Sequence, residues 1–349
     1  MASFFNLFKR FGDLLCIPFK FQLPKGRGNI YNVAKKSIFI LNLKRNTLNQ
    51  VTIKNNSITL TVLDYGAIIQ KMVLKNKAGV DTNVVVGLEE PEKYLTDNKS
   101  LGACIGRYAG RISNSSFQIN NINYPIFSKD GVHLHGGKQG FGKRYWTIDQ
   151  VHDGENPFVK LSYLSKDMEE GYPGNLKTTV IYKLVESSLL VIHEARTDKA
   201  TPVNLTNHSY FNLDGEDKID HYLLRLACPE YLETDDKLLP TGKMVSVKNS
   251  KYDFLSMKKI GEVRLDTPFV LDSSLKENTI LTSEKSGITM EVITNQPGVV
   301  VYTPPSFAAI CFETQNFPDA PNQPNFPNSI LKPGETYYNE TEFRFSFVI

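Results

Sequence analysis

The sequence predicts an all-β chain folded as one large antiparallel β-sandwich. Three observations predict it. Apolar residues recur at every second position in one segment after another, Asn- and Ser-containing turns separate those segments at hairpin spacing, and almost nothing shows the 3.6-residue period of a helix. At 349 residues the chain is long for one domain, yet all-β domains routinely run long as single units. No Gly/Ser linker and no fixed-period repeat divides it. Apolar residues make up 41%, enough to fill a large core, beside an ordinary 22% of charged ones.

Residues 1–36 read as an N-terminal extension and 37–349 as the sandwich. "MASFFNLFKRFGDLL" is basic and aromatic, with Phe4, Phe8, Phe11 and Leu15 at helical spacing. Lys9 and Arg10 interrupt what a secretory signal would keep apolar. Association with a membrane surface, a poorly ordered arm and a short helix packed on the body all fit this segment. From residue 37, "SITLTVLDYGAIIQKMVL" alternates Ile58, Leu60 and Val62 against polar neighbours, the period of a half-buried strand. "EEPEKYL" offers a helical turn or two at most. "FQINNINYPI" and "TTVIYKLVESSLLVIHEAR" read as hairpins around Asn and Glu-Ser-Ser turns. "ITMEVITNQPGVVVYTPP" and "FRFSFVI" continue the strand pattern to the C-terminus.

The bulk properties exclude several function classes. A formal charge of +3 gives no reason to expect nucleic acid or an anionic membrane as partner. No apolar run is long enough to span a bilayer. The four cysteines are scattered without a CxxC pair, which argues against a zinc site. Cys104 and Cys311 sit in apolar surroundings as small buried hydrophobes, which favours a reducing, cytoplasmic setting. Neither oligomeric state, monomer or homodimer, is specified.

Three constellations carry chemistry. In "TPVNLTNHSYFNLDG", strand alternation puts Val203, Leu205, Phe211 and Leu213 on one face and Asn204, Thr206, His208, Tyr210 and Asn212 on the other. The polar face lacks Lys, Arg and Glu, so it suits either a polyhydroxylated ligand or a closed hydrogen-bond ladder. In "GRYAGRISNSS" and "VHLHGGKQGFGKRYW", Arg107 and Arg111 lie four apart and His133 and His135 two apart, among glycines that let backbones approach closely. A guanidinium forks onto vicinal hydroxyls as readily as onto a carboxylate; Arg107 is expected to pair with surface acids. The His-x-His pair admits a metal reading, but the residues that follow hold no carboxylate to complete a ligand set, and no metal is expected. Lastly, "ICFETQNFPDAPNQPNFP" ends an apolar run on Glu313 before a proline-rich tract that reads as a rigid extended wall. A carboxyl on a buried strand has its charged form disfavoured and its proton affinity raised toward neutral pH. Paired with an imidazole it would supply a base and an acid together; the alternative is an ion pair with Arg107 or Arg111.

Taken in order, "GRYAGRI", "LHGGKQGF", "TNHSYFNLDG", "TNQPGVVVYT" and "CFETQNFPDAPNQPNFP" with "LKPGETY" resemble the galactose mutarotase (aldose 1-epimerase) family from about residue 40 to the C-terminus. The resemblance implies a supersandwich fold with a sugar cleft on one concave face, and a monosaccharide substrate with no cofactor. By motif it implies His208 as general acid and Glu313 as general base. Arg111, His135, Tyr210, Asp266 and Gln296 would hold the sugar. Three departures stand out: Gly110 where many relatives have asparagine, Thr267 where histidine is frequent after the aspartate, and a short run from Tyr302 to Glu313. The implied reaction is interconversion of α and β anomers of free hexoses. Rival readings are a hexose-6-phosphate 1-epimerase, with Lys138, Lys143 and Arg144 at the cleft mouth, a non-catalytic carbohydrate-binding module, and a glycoside hydrolase using Asp266 with Glu313.

Overall fold

The structure, a computed structural model, describes residues 48–272 and 279–347. The expectations for residues 1–36, and for a domain start at residue 37, lie outside the described residues. What is described is built almost wholly of antiparallel strands. A four-stranded sheet runs through Gln50–Lys54, Ile58–Leu63, Ile69–Lys75 and Asp81–Asn83. A nine-stranded sheet has at its centre the hairpin Leu176–Val185 and Ser188–Thr197, followed by Tyr337–Phe347 and Ile288–Thr294. A six-stranded sheet orders Tyr210–Phe211, Ile310–Gln315, Gly298–Tyr302, Asp266–Val270, Glu230–Thr234 and Pro240–Ser246.

Both hairpins expected from the sequence form. Ser116–Ile119 pairs with Ile122–Pro125, and Asn120 and Asn121 both take the positive φ that a tight two-residue turn demands. "EEPEKYL" becomes one 3-10 helix, Pro91–Thr96, opened by its proline. The three large sheets share one apolar core. Leu60, Val62 and Met72 come from the first sheet, Val180, Tyr182, Leu184 and Phe343 from the second, and Phe211, Val299, Val301 and Phe312 from the third. Phe211 lies against Phe343 at 4.9 Å between ring centroids, so the six- and nine-stranded sheets pack directly. Each such side chain contributes about 1.5–3 kcal/mol by leaving water.

Two segments depart from a simple strand pattern. Residues 201–215 are not one strand but three two-residue pieces, Thr201–Pro202, Thr206–Asn207 and Tyr210–Phe211, each hydrogen-bonded to a different neighbour. Val203, Leu205, Phe211 and Leu213 still reach the main core, so the apolar spacing was a true signal of facing and a false one of continuity. Ile288–Thr294 belongs to the nine-stranded sheet and Gly298–Tyr302 to the six-stranded one. The Asn-Gln-Pro turn between them is a corner at which the chain changes sheet.

Candidate active site

One face of the six-stranded sheet is covered by the core, and its other face forms the floor of a cavity of about 260 Å³. Strand alternation decides which residues point where. In Ile310–Gln315, Ile310 and Phe312 enter the main core, whereas Glu313 lines the cavity. Register brings its neighbours to the same face: Tyr210 lies opposite Cys311, Val300 opposite Glu313, Tyr302 opposite Cys311 and Asp266 opposite Tyr302. The cavity is a little smaller than the 300–1,000 Å³ or so usual for drug-sized ligands and suits a single sugar ring.

His208 projects over this floor from the loop between two of the short pieces. Its backbone is fixed at both ends, its N–H donating to the Ala103 carbonyl at 2.9 Å and its carbonyl accepting from Gly102 N at 3.0 Å. The ring is tilted against Tyr210 at 4.9 Å and lies edge-to-face with His135 at 5.4 Å. Nε2 stands 3.3 Å from Glu313 Oε1, and both side chains are nearly dry, with residue exposures of 4% and 3%. Cys311 Sγ is 3.6 Å from Nδ1. Burial pushes that thiol up, so it stays a protonated thiol beside the ring. Burial also drives His208 down to about 4 and Glu313 up to about 8, the latter helped by Asp266 and opposed by Arg111. A pair in which each partner resists its own charge holds one proton at neutral pH, with a lone pair on one member whenever the other carries the hydrogen. No described protein group donates to Glu313 Oε2.

Arg111 and His135 form the adjoining wall. Strand pairing sets Arg111 opposite Leu134, one residue before His135. Arg111 NH2 lies 3.8 Å from Asp266 Oδ2, which leaves donors of its fork for a ligand. Desolvation raises Asp266 despite that arginine. His135 adopts φ 51°, a left-handed backbone, and its Nδ1 accepts from Gly110 N at 3.3 Å, which puts its proton on Nε2. Burial holds it neutral, with His208 and Arg111 opposing its charge further. At Gly110, φ is +78° and a Cβ would sit 3.0 Å from Pro318 and 3.2 Å from Gln315 Nε2. Glycine is thus what lets the proline tract close on this wall.

Of the seven residues expected at a site, His208, Glu313, Arg111, His135, Tyr210 and Asp266 line this one cavity. Gln296 does not. It sits in the corner between sheets, its Nε2 donating to the Tyr338 carbonyl at 3.4 Å, and it is not among the residues lining the cavity. Arg107 does not pair with surface acids as expected. It is 1% exposed, and it donates to the carbonyls of Pro173 at 2.9 Å and Gly174 at 3.0 Å and to Ser165 Oγ at 2.6 Å. His133 turns away from His135, with Nδ1 bonded to the Phe127 carbonyl at 2.5 Å and Nε2 to the Tyr172 hydroxyl at 2.6 Å. Thr267 pairs with Val301 on the core-facing side, so the histidine missing there takes nothing from the cavity wall. The proline tract is a wall, but made of turns and the 3-10 helix Ala320–Asn322 around a buried Asp319, not an extended run.

The polar face of 201–215 divides. Asn204 donates to the carbonyls of Ala109 and Asn316, and Asn212 to that of Ala308, closing a ladder, while His208 and Tyr210 face the cavity. Sequence reasoning missed the aromatic edge: Phe307 stands 5.1 Å from the Tyr210 ring, with Lys99 over it at 4.9 Å. "YTPPSFAA" was the available signal, two prolines and two aromatics after an apolar strand. Donor atoms of His135, His208 and Glu313 lie within 4.8 Å of one another. A cation there would occupy the lone pairs that proton transfer needs, and we assign the trio no metal.

An antiparallel supersandwich with a buried imidazole–carboxyl pair in a cavity about the size of one sugar ring fits a carbohydrate isomerase. The Aldose 1-epimerase family model matches residues 49–344. Galactose mutarotase of Homo sapiens is 35% identical over 86% of this chain and 94% of its own length. Aldose 1-epimerase of Escherichia coli is 32% identical over 84% and 94%. A crystal structure of an aldose epimerase homologue from C. elegans superposes with a TM-score of 0.83 at 30% identity, covering 87% of this chain and all of that one. The chain belongs to the aldose 1-epimerase family.

Proposed function

We propose that this enzyme interconverts the α and β anomers of free aldohexoses such as galactose and glucose, with His208 and Glu313 as the acid/base pair. The 3.3 Å approach of His208 Nε2 to Glu313 Oε1 on the wall of a sugar-sized cavity carries the reading, and relatives named galactose mutarotase and aldose 1-epimerase support it.

From the one-proton form that carries the hydrogen as imidazolium, Glu313 as carboxylate takes the proton of the anomeric hydroxyl while His208 gives one to the ring oxygen and is left a neutral imidazole. The C1–ring oxygen bond breaks, the free aldehyde forms and the C1–C2 bond turns. Closure on the other face runs the two transfers backward. No carbon–hydrogen bond breaks, so the reaction asks for no hydride carrier. The pair needs one proton in all, which is the state that burial of both groups favours at neutral pH. Arg111, His135 and Asp266 hold hydroxyls, Arg111 and His135 stabilise negative charge growing on oxygen in a site dry enough for those dipoles to count, and Tyr210, whose hydroxyl donates to the Lys99 carbonyl at 2.8 Å, offers the sugar its ring and a lone pair. A binding module would have no use for the proton-sharing pair. Arg144, one of the basic residues expected at the mouth, is spent on Glu169 at 2.9 Å.

Residues 37–349 make up the working domain in this reading, with a monosaccharide as partner and no nucleic acid. Among the described residues no helix is long and apolar enough to cross a membrane. Three cysteines are buried free thiols, which supports a cytoplasmic setting.

Polarimetry on freshly dissolved α-galactose tests the assignment. Glu313→Gln keeps the shape of the side chain and is expected to lower kcat by about 10³-fold, within the range of a positioned acid or base, with unchanged thermal unfolding. Wild-type turnover in that variant would remove Glu313 as the base.

A further inference from the structure

A second cavity, about 780 Å³ and three times the first, opens beside the sugar pocket. Asn98, Ser100, Arg111, Leu134 and His135 line both, so a ligand in one can extend into the other past Arg111. The second cavity is not needed for one ring. Its walls combine two features seldom found together. Phe127 and Leu134, both on the lining, are 41% and 39% exposed, and they offer apolar surface of the kind on which the C–H side of a sugar stacks. Around it stand Lys129, Lys138, Lys143 and Lys237.

Those lysines are not consumed by the fold. Lysine ion pairs among the described residues belong to Lys71, Lys75, Lys93, Lys243 and Lys285. Among the described residues Lys237 Nζ reaches the Asp130 carbonyl, at 3.5 Å, and no carboxylate. Of the two carboxylates on the lining, Asp97 already accepts the backbone N–H groups of Lys99 and Leu101, both at 3.0 Å. Asp97 and Asp130 together offset two of the lining's charges, against four lysines and Arg111. The lining thus carries a surplus of positive charge directly beside the neutral sugar pocket.

We infer that the second cavity is an extension subsite for an acidic saccharide, whose reducing ring turns over at His208 and Glu313 while a further, carboxylate- or phosphate-bearing unit lies against Phe127 and Leu134 among the lysines. Volume and charge together select this ligand class. A lone phosphate would leave most of 780 Å³ unfilled, and a neutral second ring would leave the lysines without counter-charge. The inference rests on the sugar-pocket reading above and extends the substrate from a single ring to a charged chain end.

Polarimetry separates the two claims. Free galactose is measured first; no acceleration there would defeat the pocket reading itself. Reducing disaccharides of glucuronic acid linked 1→4 and 1→6 to glucose are then compared with neutral counterparts of the same linkages, and glucose 6-phosphate and free glucose with added inorganic phosphate serve as further arms. The expected result is a kcat/KM for one acidic disaccharide about tenfold above its neutral partner, since several exposed charge contacts are each worth a few-fold at most. That preference should fall in 0.5 M salt, where screening removes exposed attraction, and in the Lys129→Gln/Lys138→Gln/Lys237→Gln variant, which keeps its rate on free galactose. Equal kcat/KM for acidic and neutral partners in both linkages overturns the inference. A preference that survives the lysine replacements overturns it also. Acceleration of glucose 6-phosphate alone would assign the lysines to a phosphate on the first ring and defeat the second-unit subsite. Stimulation by inorganic phosphate alone would make the anion a free effector and defeat it equally.

Discussion

Two arginine–histidine pairs come from the same stretch of chain and do opposite jobs. Arg107 and His133 are enclosed, both terminal nitrogens of the one and both ring nitrogens of the other met by protein atoms. Arg111 and His135, four and two residues further on, reach the cavity with capacity left over: among the described residues the Arg111 side chain is held by Asp266 at 3.8 Å and the His135 ring through Nδ1. Residue type and spacing are alike in the two pairs. What separates them is whether the fold has already supplied their partners. A polar side chain satisfied by backbone carbonyls is a strut, and one left partly unsatisfied at a cavity wall is a tool.

Replacing one member of each pair should pull stability and activity apart. The largest effect is expected from Arg107→Met, which strands the carbonyls of Pro173 and Gly174 in the interior; denaturant unfolding should show a loss of at least about 3 kcal/mol. Arg111→Met should leave unfolding within about 0.5 kcal/mol of wild type while kcat/KM for galactose falls about 10²-fold, the usual worth of one donor to developing negative charge. If Arg111→Met unfolds as easily as Arg107→Met, the contrast fails. His133→Phe should cost about 1–2 kcal/mol of stability for its two lost hydrogen bonds, with no change in kcat/KM.

The pH profile gives the subtlest test. Activity needs one proton on the His208–Glu313 pair. Above about 8 the pair loses it and the acid is gone; below about 4 it gains a second and the base is gone. The kcat/KM curve should therefore be flat between those values and fall on both sides. His133, also lowered to about 4 by burial, takes no part in the transfers, so His133→Phe should keep both limbs in place. A shift of the acid limb in that variant would show that His133 is coupled to the chemistry.

Much of this was legible in the sequence, and the exceptions have physical causes. Alternation marked which residues of 201–215 face the core, since facing depends only on side-chain period. Continuity depends on hydrogen-bond partners far away in the chain, which local sequence does not encode, and there the expected single strand broke into three. Six of the seven expected site residues converge because motif order carries the fold that assembles them. Gln296 failed because a turn that changes sheets sends its side chain toward Tyr338, and nothing in "TNQPG" says that its two flanking strands part company. Arg107 misled because an arginine's hydrogen bonds can be met by several backbone carbonyls instead of one acid, and backbone carbonyls leave no mark in the sequence. The lysine-rimmed cavity needed loops separated by about a hundred residues, around Lys129 and Lys237, to be seen side by side.

Glu313 and Phe312 are adjacent, one feeding the cavity and the other the core, on a strand buried along its whole length. A slip of one place against Gly298–Tyr302 would exchange them, forcing a carboxyl into hydrocarbon and a phenyl ring into the sugar's seat. The alignment that makes the protein stable is therefore the same alignment that makes it reactive. A misaligned but well-packed impostor has no place to exist, and turnover of sugar doubles as a gauge of correct strand pairing.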